Sequence, residues 1–378
     1  MTAGKTDILI IGGGLAGCAI AYFLAREGAG VTLVEQHDLN TQASGSNSGS
    51  LHAQIPYEPF LLEGESFARG FQPVIPLLLR SIEMWKELEL ELGVDFEVST
   101  PGGILVAETK AQMANVRRKA KLEQKAGLPV KMLGRDELRS LAPYLSTRMV
   151  GGSYCPAEGK ANPLKAAPSL ARAAQKLGAR IVRRTMLHNL SVEAGEFLAH
   201  TSTGVISARR VVNCAGAEAG RVARMAGLDL EIEGFPIQVN ITEPIEPLVP
   251  HLIYSAGDRL TLKQTRNGGL VIGGGWAARI NSETGRPEVE PASIGPNLRA
   301  ATNMVPALAG VHLLRTWPAI VNGTADWRPI LGEAPKVPGF FSCIFPWMGF
   351  TAGPMSARLV ADAVMGRKPP KAFARFFM

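Results

Sequence analysis

A glycine-rich turn near the amino terminus carries the clearest chemical signal in the sequence. Gly12, Gly14 and Gly17 follow a β-branched run and precede a stretch of alanine and leucine. This spacing allows a tight turn, close approach of backbone to a pyrophosphate, and close packing of helix on strand. Glu35 ends the next β-branched run, where a carboxylate accepts hydrogen bonds from ribose hydroxyls. The pattern predicts a dinucleotide site formed by Gly12, Gly14, Leu15, Ala16, Gly17, Glu35 and Gln36.

Three further segments have the composition of phosphate-binding or ring-binding turns. Residues 41–50 are rich in glycine and serine, whose amides and hydroxyls suit an anion and a ring edge. The sequences VVNCAG and WMGFTAGP, near residues 214 and 350, each precede a predicted helix. Turns of this kind at the start, middle and end of the chain indicate one α/β domain assembled from separate segments.

The elements that would position these turns can be predicted from apolar periodicity. Residues 7–11, 15–26 and 31–35 read as a strand, a helix and a strand, which is a βαβ unit. Other helices are predicted at 76–92, 110–126, 163–177 and from about Met355 to Met365, with strands at 103–107 and 180–184. Residues 236–275 are β-rich and predict a second, sheet-rich domain.

Composition excludes several classes of protein. The 378 residues exceed the usual size of a single core, and the net charge of +7 is scattered. The densest basic cluster, residues 117–125, has no interleaved aromatics, so we interpret it as a solvated helix face and predict no nucleic-acid partner. The four cysteines form no CxxC pair, which predicts no metal site. Glycines interrupt the uncharged run 8–25, so we predict a cytoplasmic protein without a transmembrane segment.

Taken together, these motifs resemble the D-amino-acid oxidase (DAO-type) family of FAD-dependent oxidoreductases over essentially the whole chain. The matching segments are IIGGGLAG…VTLVE, ASGSNSG, VVNCAG, GGLVIGG and WMGFTAGP. The resemblance implies an α/β fold with a Rossmann-type FAD-binding domain and an inserted antiparallel-sheet substrate domain. It implies FAD-domain segments 1–60, 145–230 and 320–378, and substrate-domain segments 61–144 and 231–319.

The resemblance also implies which further residues contact FAD. The loop would contribute Ser44, Gly45, Asn47, Ser48 and Gly49, and Met186 would meet adenine through its backbone. Ala215 and Gly216 would flank the dinucleotide. The amides of the end loop would face the flavin N1–C2=O edge, where negative charge develops on reduction; they belong to Gly349, Phe350, Thr351 and Ala352.

Within the family, the stretch QASGSNSGSLHAQIPYEPF is similar to the FAD-carrying β subunits of opine oxidases. This resemblance implies a hetero-oligomer with a larger α subunit and an electron acceptor, with FMN near the subunit contact. The Phe340–Phe350 region and Phe373, Phe376 and Phe377 are candidates for that contact, with core packing as the alternative for each.

Three positions depart from better-known relatives. Val321-Asn322 replace the Arg-Pro pair whose arginine clamps a substrate carboxylate. Val271 replaces a lysine that helps oxygen react with the flavin, which predicts slow reaction with oxygen. Trp347 stands where many relatives have glycine, so the end-loop geometry can differ.

Two side chains are candidates for contact with the substrate. His52 follows the glycine–serine loop and could accept a proton, or be a hydrogen-bonded structural histidine. Lys263 could bind a carboxylate in place of the missing clamp, or be a surface lysine. Glu158 and Lys160 are interpreted as a solvated turn.

These observations predict an FAD-dependent oxidation of a C–H bond next to a secondary amine. The neutral amine would present its α-carbon to flavin N5, and the resulting imine would hydrolyse. By family resemblance, the substrate would be an opine that yields an amino acid and a 2-oxo acid. A tRNA-modifying flavoenzyme and a non-catalytic scaffold that holds FAD are the alternatives.

Overall fold

A computed structural model describes residues 2–378 of the chain. The helices in these residues are α1 (Leu15–Arg26), α2 (Ala43–Ser46), α3 (Tyr57–Phe71), α4 (Ile75–Leu92), α5 (Lys110–Lys125), α6 (Arg135–Leu141), α7 (Ala166–Lys176), α8 (Ala219–Met225), α9 (Pro291–Met304) and α10 (Gly349–Val364). Short 3₁₀ turns cover Gln72–Val74, Gly216–Glu218, Pro306–Leu308 and Ala374–Phe376.

The strands fall into two large sheets and two small ladders. In chain order they are β1 (Thr2–Ile11), β2 (Val31–Val34), β3 (Ser50–Leu51), β4 (Gly103–Ala107), β5 (Lys131–Leu133), β6 (Gly151–Cys155), β7 (Gly159–Lys160), β8 (Arg180–Val182), β9 (Leu187–Glu193), β10 (Glu196–Thr201), β11 (Gly204–Asn213), β12 (Glu233–Thr242), β13 (Leu252–Ser255), β14 (Thr261–Gln264), β15 (Leu270–Gly273), β16 (Arg279–Ile280), β17 (Pro287–Glu288), β18 (Leu313–Gly323), β19 (Ile330–Glu333) and β20 (Phe340–Ile344).

The first large sheet has the order β19-β20-β11-β1-β2-β8, and β10 and β9 extend it from β11. The pairs from β20 to β8 are parallel. Ile8, Leu9 and Ile10 are all buried, because a central parallel strand is covered on both faces. Helix α1 returns the chain from β1 to β2 and packs against α7 and α10. This arrangement confirms the predicted Rossmann-type α/β architecture.

The second large sheet has the order β18-β12-β15-β14-β13-β4-β6-β5. All of its neighbouring strands are antiparallel except β13 and β4, which are parallel. A separate apolar cluster fills the space between this sheet and α6 and α9, with Ile104, Leu262 and Met304 among its members. The sheet therefore has its own core, as the prediction of a sheet-rich second unit requires.

The domain boundaries stay a prediction. Strand β6 lies within the segment 145–230 assigned to the FAD domain, yet it pairs with β4 and β5 in the second sheet. Strand β18 crosses the boundary at residue 320 and pairs with β12 along its length.

Several features differ from the sequence-based expectations. Helix α3 is absent from those expectations, and it contains a kink at Gly64, whose φ is 69°. Helix α10 begins at Gly349 rather than near Met355. Phe340, Phe373 and Phe376 are buried, so core packing, and not an exposed contact surface, is their role in this chain.

The basic cluster on α5 is also not uniformly solvated. Lys119 is 1% exposed, and its Nζ lies 2.5 Å from Glu123 Oε1 one turn further along the helix. Lys119 Nζ also donates to Gln54 Oε1, and Glu123 Oε1 accepts from the Ile55 N–H. This buried ion pair therefore attaches α5 to the segment that follows β3.

None of the helices in residues 2–378 combines the length and apolar character that crossing a bilayer requires.

Removal of one partner from the α5 ion pair is expected to destabilise the fold strongly. Lys119→Met leaves a buried carboxylate without its cation, which typically costs about 3–5 kcal/mol. The double variant Lys119→Met with Glu123→Leu is expected to lose less stability, because no unpaired charge remains. Denaturant unfolding measures both free energies, with Lys121→Met, an exposed lysine of the same helix, as control. A Lys119→Met variant as stable as Lys121→Met would contradict the expectation.

Candidate active site

One cavity of about 2060 Å³ extends from the glycine turn after β1 to the second large sheet. Its lining combines residues that the sequence predicted for the cofactor with residues of β14, β15 and β18. The predicted residues in the lining are Gly12, Gly14, Glu35, Gln36, Ser44, Gly45, Asn47, Ser48, Ala215, Gly216 and Lys263. Residues predicted to bind the cofactor and Lys263, which is predicted to bind the substrate, therefore line the same cavity.

The glycine turn leaves no room for side chains at two positions. Gly12 has a φ of 111°, and a Cβ there would overlap the carbonyl of Cys214. A Cβ on Gly17 would overlap the carbonyl oxygen of Gly12, so the third glycine allows α1 to lie against the end of β1. Gly14 is the N-cap of α1 and has no side-chain cap. The positive end of the helix dipole thus points toward the cavity.

Glu35 lies directly after β2 and is held in place by two backbone amides. Its Oε2 accepts from the N–H of Gly13 at 2.6 Å, and its Oε1 accepts from the N–H of His37 at 2.8 Å. Each carboxylate oxygen keeps a lone pair after these bonds. Both Glu35 and Gln36 line the cavity, in the position expected for contact with ribose hydroxyls.

The glycine–serine segment is more ordered than a loop, since it contains the one-turn helix α2. Ser44 Oγ accepts from the Leu15 N–H at 2.9 Å, which joins α2 to the start of α1. Asn47 Oδ1 accepts from the Gly49 N–H at 2.6 Å. A Cβ on Gly45 would overlap the carbonyl of Asn40, so this turn requires glycine.

Met186 is not among the residues that line the cavity, but its neighbours Arg184, Thr185 and Leu187 are. Its backbone N–H donates to Ser202 Oγ, and its carbonyl accepts from the Ser202 N–H. The carbonyl keeps a second lone pair. Its contact with adenine stays a prediction.

The end loop places the start of α10 against β3. Thr351 Oγ1 accepts from the His52 N–H at 2.9 Å and donates to the Ser50 carbonyl at 3.2 Å. The Ala352 N–H donates to the Met348 carbonyl, so this amide is not free for a ligand. The amides of Gly349, Phe350 and Thr351 form the open first turn of the helix.

Trp347 has a φ of 58°, in the left-handed region that glycine adopts without strain. Its ring stacks on Trp327 at a centroid distance of 5.0 Å and contacts Phe235 at 4.5 Å. The left-handed backbone at Trp347 is thus accompanied by stacking of its ring between Trp327 and Phe235.

Lys263 is buried, not a surface lysine. It is 2% exposed, and its Nζ donates to Ser50 Oγ at 2.6 Å. It lies directly opposite Val271 in the β14–β15 pair, so both side chains point to the same face and line the cavity. The chain thus carries a lysine on this face of the sheet at Lys263 on β14, and not at Val271 on the neighbouring strand β15.

Lys160 lies near Lys263 and lines the same cavity. Its Nζ donates to the carbonyls of Gln264 at 2.6 Å and Pro250 at 3.3 Å. Burial, together with the charge of Lys160, lowers the pKa of Lys263 to about 7. Within residues 2–378, neither ammonium group pairs with a carboxylate. Two like charges without acidic partners favour an anionic ligand in this part of the cavity.

His52 is half-buried, two residues after Ser50, and is not among the residues that line the cavity. Its Nδ1 lies 2.7 Å from Tyr254 Oη. Burial and the nearby charge of Lys263 lower the pKa of His52 to about 3, so the ring is neutral at physiological pH.

Glu158 does not belong to a solvated turn, and that interpretation is wrong because the side chain is completely buried. Its Oε1 accepts from the N–H groups of Ala53 and Gln54, and its Oε2 accepts from Tyr254 Oη at 3.1 Å. Sequence reasoning missed Glu158, Gln54 and Tyr254. Because these partners are about one hundred residues apart in the chain, no local pattern reveals the cluster.

In residues 2–378, no group of three or more His, Cys, Asp or Glu side chains is arranged to hold a metal ion.

Comparisons with known proteins agree with this geometry. Residues 7–363 match the family described as FAD dependent oxidoreductase (DAO). An opine oxidase subunit of Rhizobium meliloti is 29% identical over 376 residues, which cover 96% of this chain and 94% of that protein. The beta subunit of sarcosine oxidase from Rhizobium meliloti (strain 1021) is 28% identical, covering 98% and 87%. Glycine oxidase from Geobacillus kaustophilus has a similar structure, with a TM-score of 0.86, 25% identity, and coverage of 99% and 98%.

The chain belongs to the DAO family of FAD-dependent oxidoreductases. It is an enzyme of the type that includes sarcosine, glycine and opine oxidases, which act on amines and amino acids. FAD is its cofactor, and the cavity is suited to it through the glycine turn and the carboxylate of Glu35, whereas Gly349, Phe350, Thr351 and Ala352 are not among the residues that line it.

The glycine turn gives a test of the cofactor position. Gly17→Ala is expected to lose FAD, because the new Cβ would overlap a backbone carbonyl and push α1 away from β1. Gly14→Ala is also expected to weaken FAD retention, because its Cβ meets the Ser44 hydroxyl at 2.8 Å and would lie where the backbone approaches the pyrophosphate. The flavin-to-protein ratio after purification measures both effects.

The matched control for these variants is Gly310→Ala, because nothing lies within 4 Å of a Cβ at that exposed turn. Circular dichroism separates loss of cofactor from loss of fold. A folded Gly17→Ala variant with a full complement of FAD would refute the assignment of the turn.

The lowered pKa of Lys263 gives a pH-dependent test. A carboxylate binds best while Lys263 is protonated, so the affinity for acetate is expected to fall as the pH rises above about 7. The loss approaches about tenfold per pH unit, since one proton is linked to binding. Perturbation of the flavin spectrum by acetate measures the affinity. Lys263→Met should remove the dependence and Lys336→Met, a change at an exposed lysine, should keep it; the reverse result would contradict the role.

Proposed function

We propose that this chain oxidises the carbon–nitrogen bond of a secondary amine that carries carboxylates. An opine fits this description, and its oxidation followed by hydrolysis gives an amino acid and a 2-oxo acid. The observation that supports this class of substrate is a pair of ammonium groups in the cavity without acidic partners, on half-buried Lys160 and buried Lys263. The opine oxidase subunit of Rhizobium meliloti, at 29% identity, supports the same choice.

The carboxylate site differs from the arginine clamp that relatives use. Val321 and Asn322 occupy the Arg-Pro position on β18, and Asn322 Nδ2 donates to the Phe345 carbonyl. Neither side chain carries a charge for a substrate carboxylate. Lys263, on β14, which β12 and β15 separate from β18 in the second sheet, would supply a positive charge from another strand.

The residues of the chain bind and orient the substrate, while the redox chemistry belongs to the cofactor. When bound, FAD accepts the two electrons that the α-carbon of the amine gives up. Lys263 would hold a carboxylate, and His52, neutral because of its lowered pKa, would receive the proton of the amine. The walls of the cavity would keep the α-carbon aligned with the cofactor.

We also propose that the chain is the β-type subunit of a hetero-oligomer. Relatives that are named as subunits of sarcosine and opine oxidases support this arrangement. A larger partner would carry electrons onward, with FMN near the contact. Val271 at the position of the oxygen-activating lysine supports transfer of electrons to an acceptor other than oxygen. Lys263 lies directly opposite Val271 in the β14–β15 pair.

Anaerobic mixing with candidate amines tests the proposed reaction. Octopine and nopaline are expected to bleach the oxidised-flavin absorbance of the purified chain, whereas arginine, a primary amine with the same side chain as octopine, should do so far more slowly. Chromatography should then detect an amino acid and a 2-oxo acid in equal amounts. Octopine is expected to reduce Lys263→Met at least about tenfold less efficiently, as kcat/KM, because one charge-assisted contact is lost.

Two results would contradict the proposal. A flavin that none of these amines reduces, alone or with a co-purified partner, would favour a scaffold that only holds FAD. Retention of tRNA on a filter at physiological salt, together with inert amines, would favour an RNA-modifying enzyme.

A further inference from the structure

We propose that His52, Tyr254 and Glu158 form a proton relay that carries the ammonium proton of the substrate away from the cavity. The relay rests on the proposed function, since an amine substrate arrives protonated and must be neutral to be oxidised. His52 would touch the substrate, and Tyr254 and Glu158 would act through His52.

The three side chains form a continuous hydrogen-bonded chain. His52 Nδ1 lies 2.7 Å from Tyr254 Oη, which in turn lies 3.1 Å from Glu158 Oε2. The first distance is within the usual range for an N–H···O hydrogen bond, and the second is slightly long for an O–H···O hydrogen bond. Within the described residues, no hydrogen bond uses His52 Nε2, and this atom is not among the buried polar atoms without partners. The Nε2 atom therefore keeps some exposure, and the proposal requires the substrate to reach it from the neighbouring cavity, whose lining does not include His52.

The outer end of the relay lies beside the lysines that would bind the substrate. Lys263, which lines the cavity, donates to Ser50 Oγ, and Ser50 precedes His52 by two residues. The backbone N–H of His52 donates to Thr351 Oγ1 on α10. The ring is thus held between the proposed carboxylate site and the first turn of the proposed flavin helix.

The inner end of the relay is the carboxylate of Glu158, which is surrounded by hydrogen-bond donors. Glu158 accepts two backbone N–H groups and the Gln54 amide at 2.8 Å, in addition to the Tyr254 hydroxyl. Gly103 on β4 packs against this carboxylate, and a Cβ there would overlap Glu158 Oε2. The carboxylate therefore occupies a shaped, fully buried site with a donor on each side.

The titratable groups around the relay come from four elements. On the interior side, Lys119 and Glu123 of α5 lie beyond Gln54, and Cys155 lies at the end of β6. On the cavity side lie Lys263 and Lys160. Burial raises the pKa of Glu158, while the donors from residues 53 and 54 and the charge of Lys119 lower it. Burial and the charge of Glu158 raise the pKa of Tyr254.

These charges explain why a relay is needed. An imidazolium at His52 is disfavoured, because burial and Lys263 hold its pKa at about 3. In a relay His52 never accumulates charge and changes only its tautomer. The charge of the ammonium group is cancelled at Glu158, whose raised pKa favours the neutral acid.

Three coupled proton transfers move one charge across the relay. The substrate N–H bond breaks as a bond forms to His52 Nε2. The proton on His52 Nδ1 moves to Tyr254 Oη, and the hydroxyl proton of Tyr254 moves to Glu158 Oε2. The products are a neutral amine, a neutral imidazole, a neutral phenol and a neutral carboxylic acid.

The first test is the pH profile of anaerobic flavin reduction by octopine. Glu158→Gln and Tyr254→Phe are expected to lower the limiting rate at neutral pH at least about tenfold. Their rates should recover toward that of the wild type as the pH approaches the pKa of the substrate amine, because the substrate then arrives neutral. A purely structural loss would lower the rate equally at every pH.

The matched control is Tyr144→Phe. Tyr144 Oη lies 2.8 Å from His251 Nδ1, which is the same kind of tyrosine–histidine pair in the second sheet region, and within the described residues neither side chain hydrogen-bonds to Glu158. This variant should keep the rate and the pH profile of the wild type.

The second test does not depend on turnover. An octopine analogue with methyl groups in place of both α-hydrogens can bind but has no hydride to lose. Infrared difference spectra on binding should show a new carboxylic-acid band in the wild type and in Tyr144→Phe. The band should be absent in Glu158→Gln and Tyr254→Phe.

The outcomes separate the two proposals. Octopine oxidation with an unchanged pH profile in both relay variants, or analogue binding without the acid band, would overturn the relay and leave the proposed function intact. A wild-type protein that neither binds the analogue nor oxidises octopine would overturn the proposed function, and the relay with it, since no ammonium proton is then delivered.

Discussion

The buried carboxylate of Glu158 is the contact that joins the second large sheet to the segment that follows β3. It lies between β6 of the second sheet and β7, which pairs with β3. It accepts from the amides of Ala53 and Gln54 on one side and from Tyr254 of β13 on the other. A buried charge of this kind is tolerated only when several donors surround it. The position of the segment after β3, and with it His52, therefore depends on Glu158.

Charges of opposite sign lie on the two sides of His52. Lys263 and Lys160 face the cavity, and Glu158 lies behind Tyr254 in the interior. A zwitterionic substrate matches this order, because its carboxylate can meet the ammonium groups while its amine meets the imidazole. Positive charge reaches the cavity from two strands of the second sheet, from Lys263 on β14 and from Arg315 on β18.

The parts of the fold that depend on local sequence could be predicted. The β1–α1–β2 unit follows from an apolar run, a glycine spacing and a terminal acid, and each of these is visible within 35 residues. The burial of Lys119 and Glu158 could not be predicted, because Gln54, which hydrogen-bonds to both, comes from a distant segment. A charged residue beside a turn or on a basic helix is usually exposed.

The central claim is that the cavity oxidises the C–H bond next to an amine nitrogen. The most direct measurement is the limiting rate of flavin reduction in a single anaerobic turnover with octopine that carries deuterium at the α-positions. We expect the limiting rate of flavin reduction to be several-fold lower than with unlabelled octopine. We expect no change in this rate when deuterium is placed only on the guanidino-bearing methylenes. Flavin reduction with equal rates for all three compounds would contradict it.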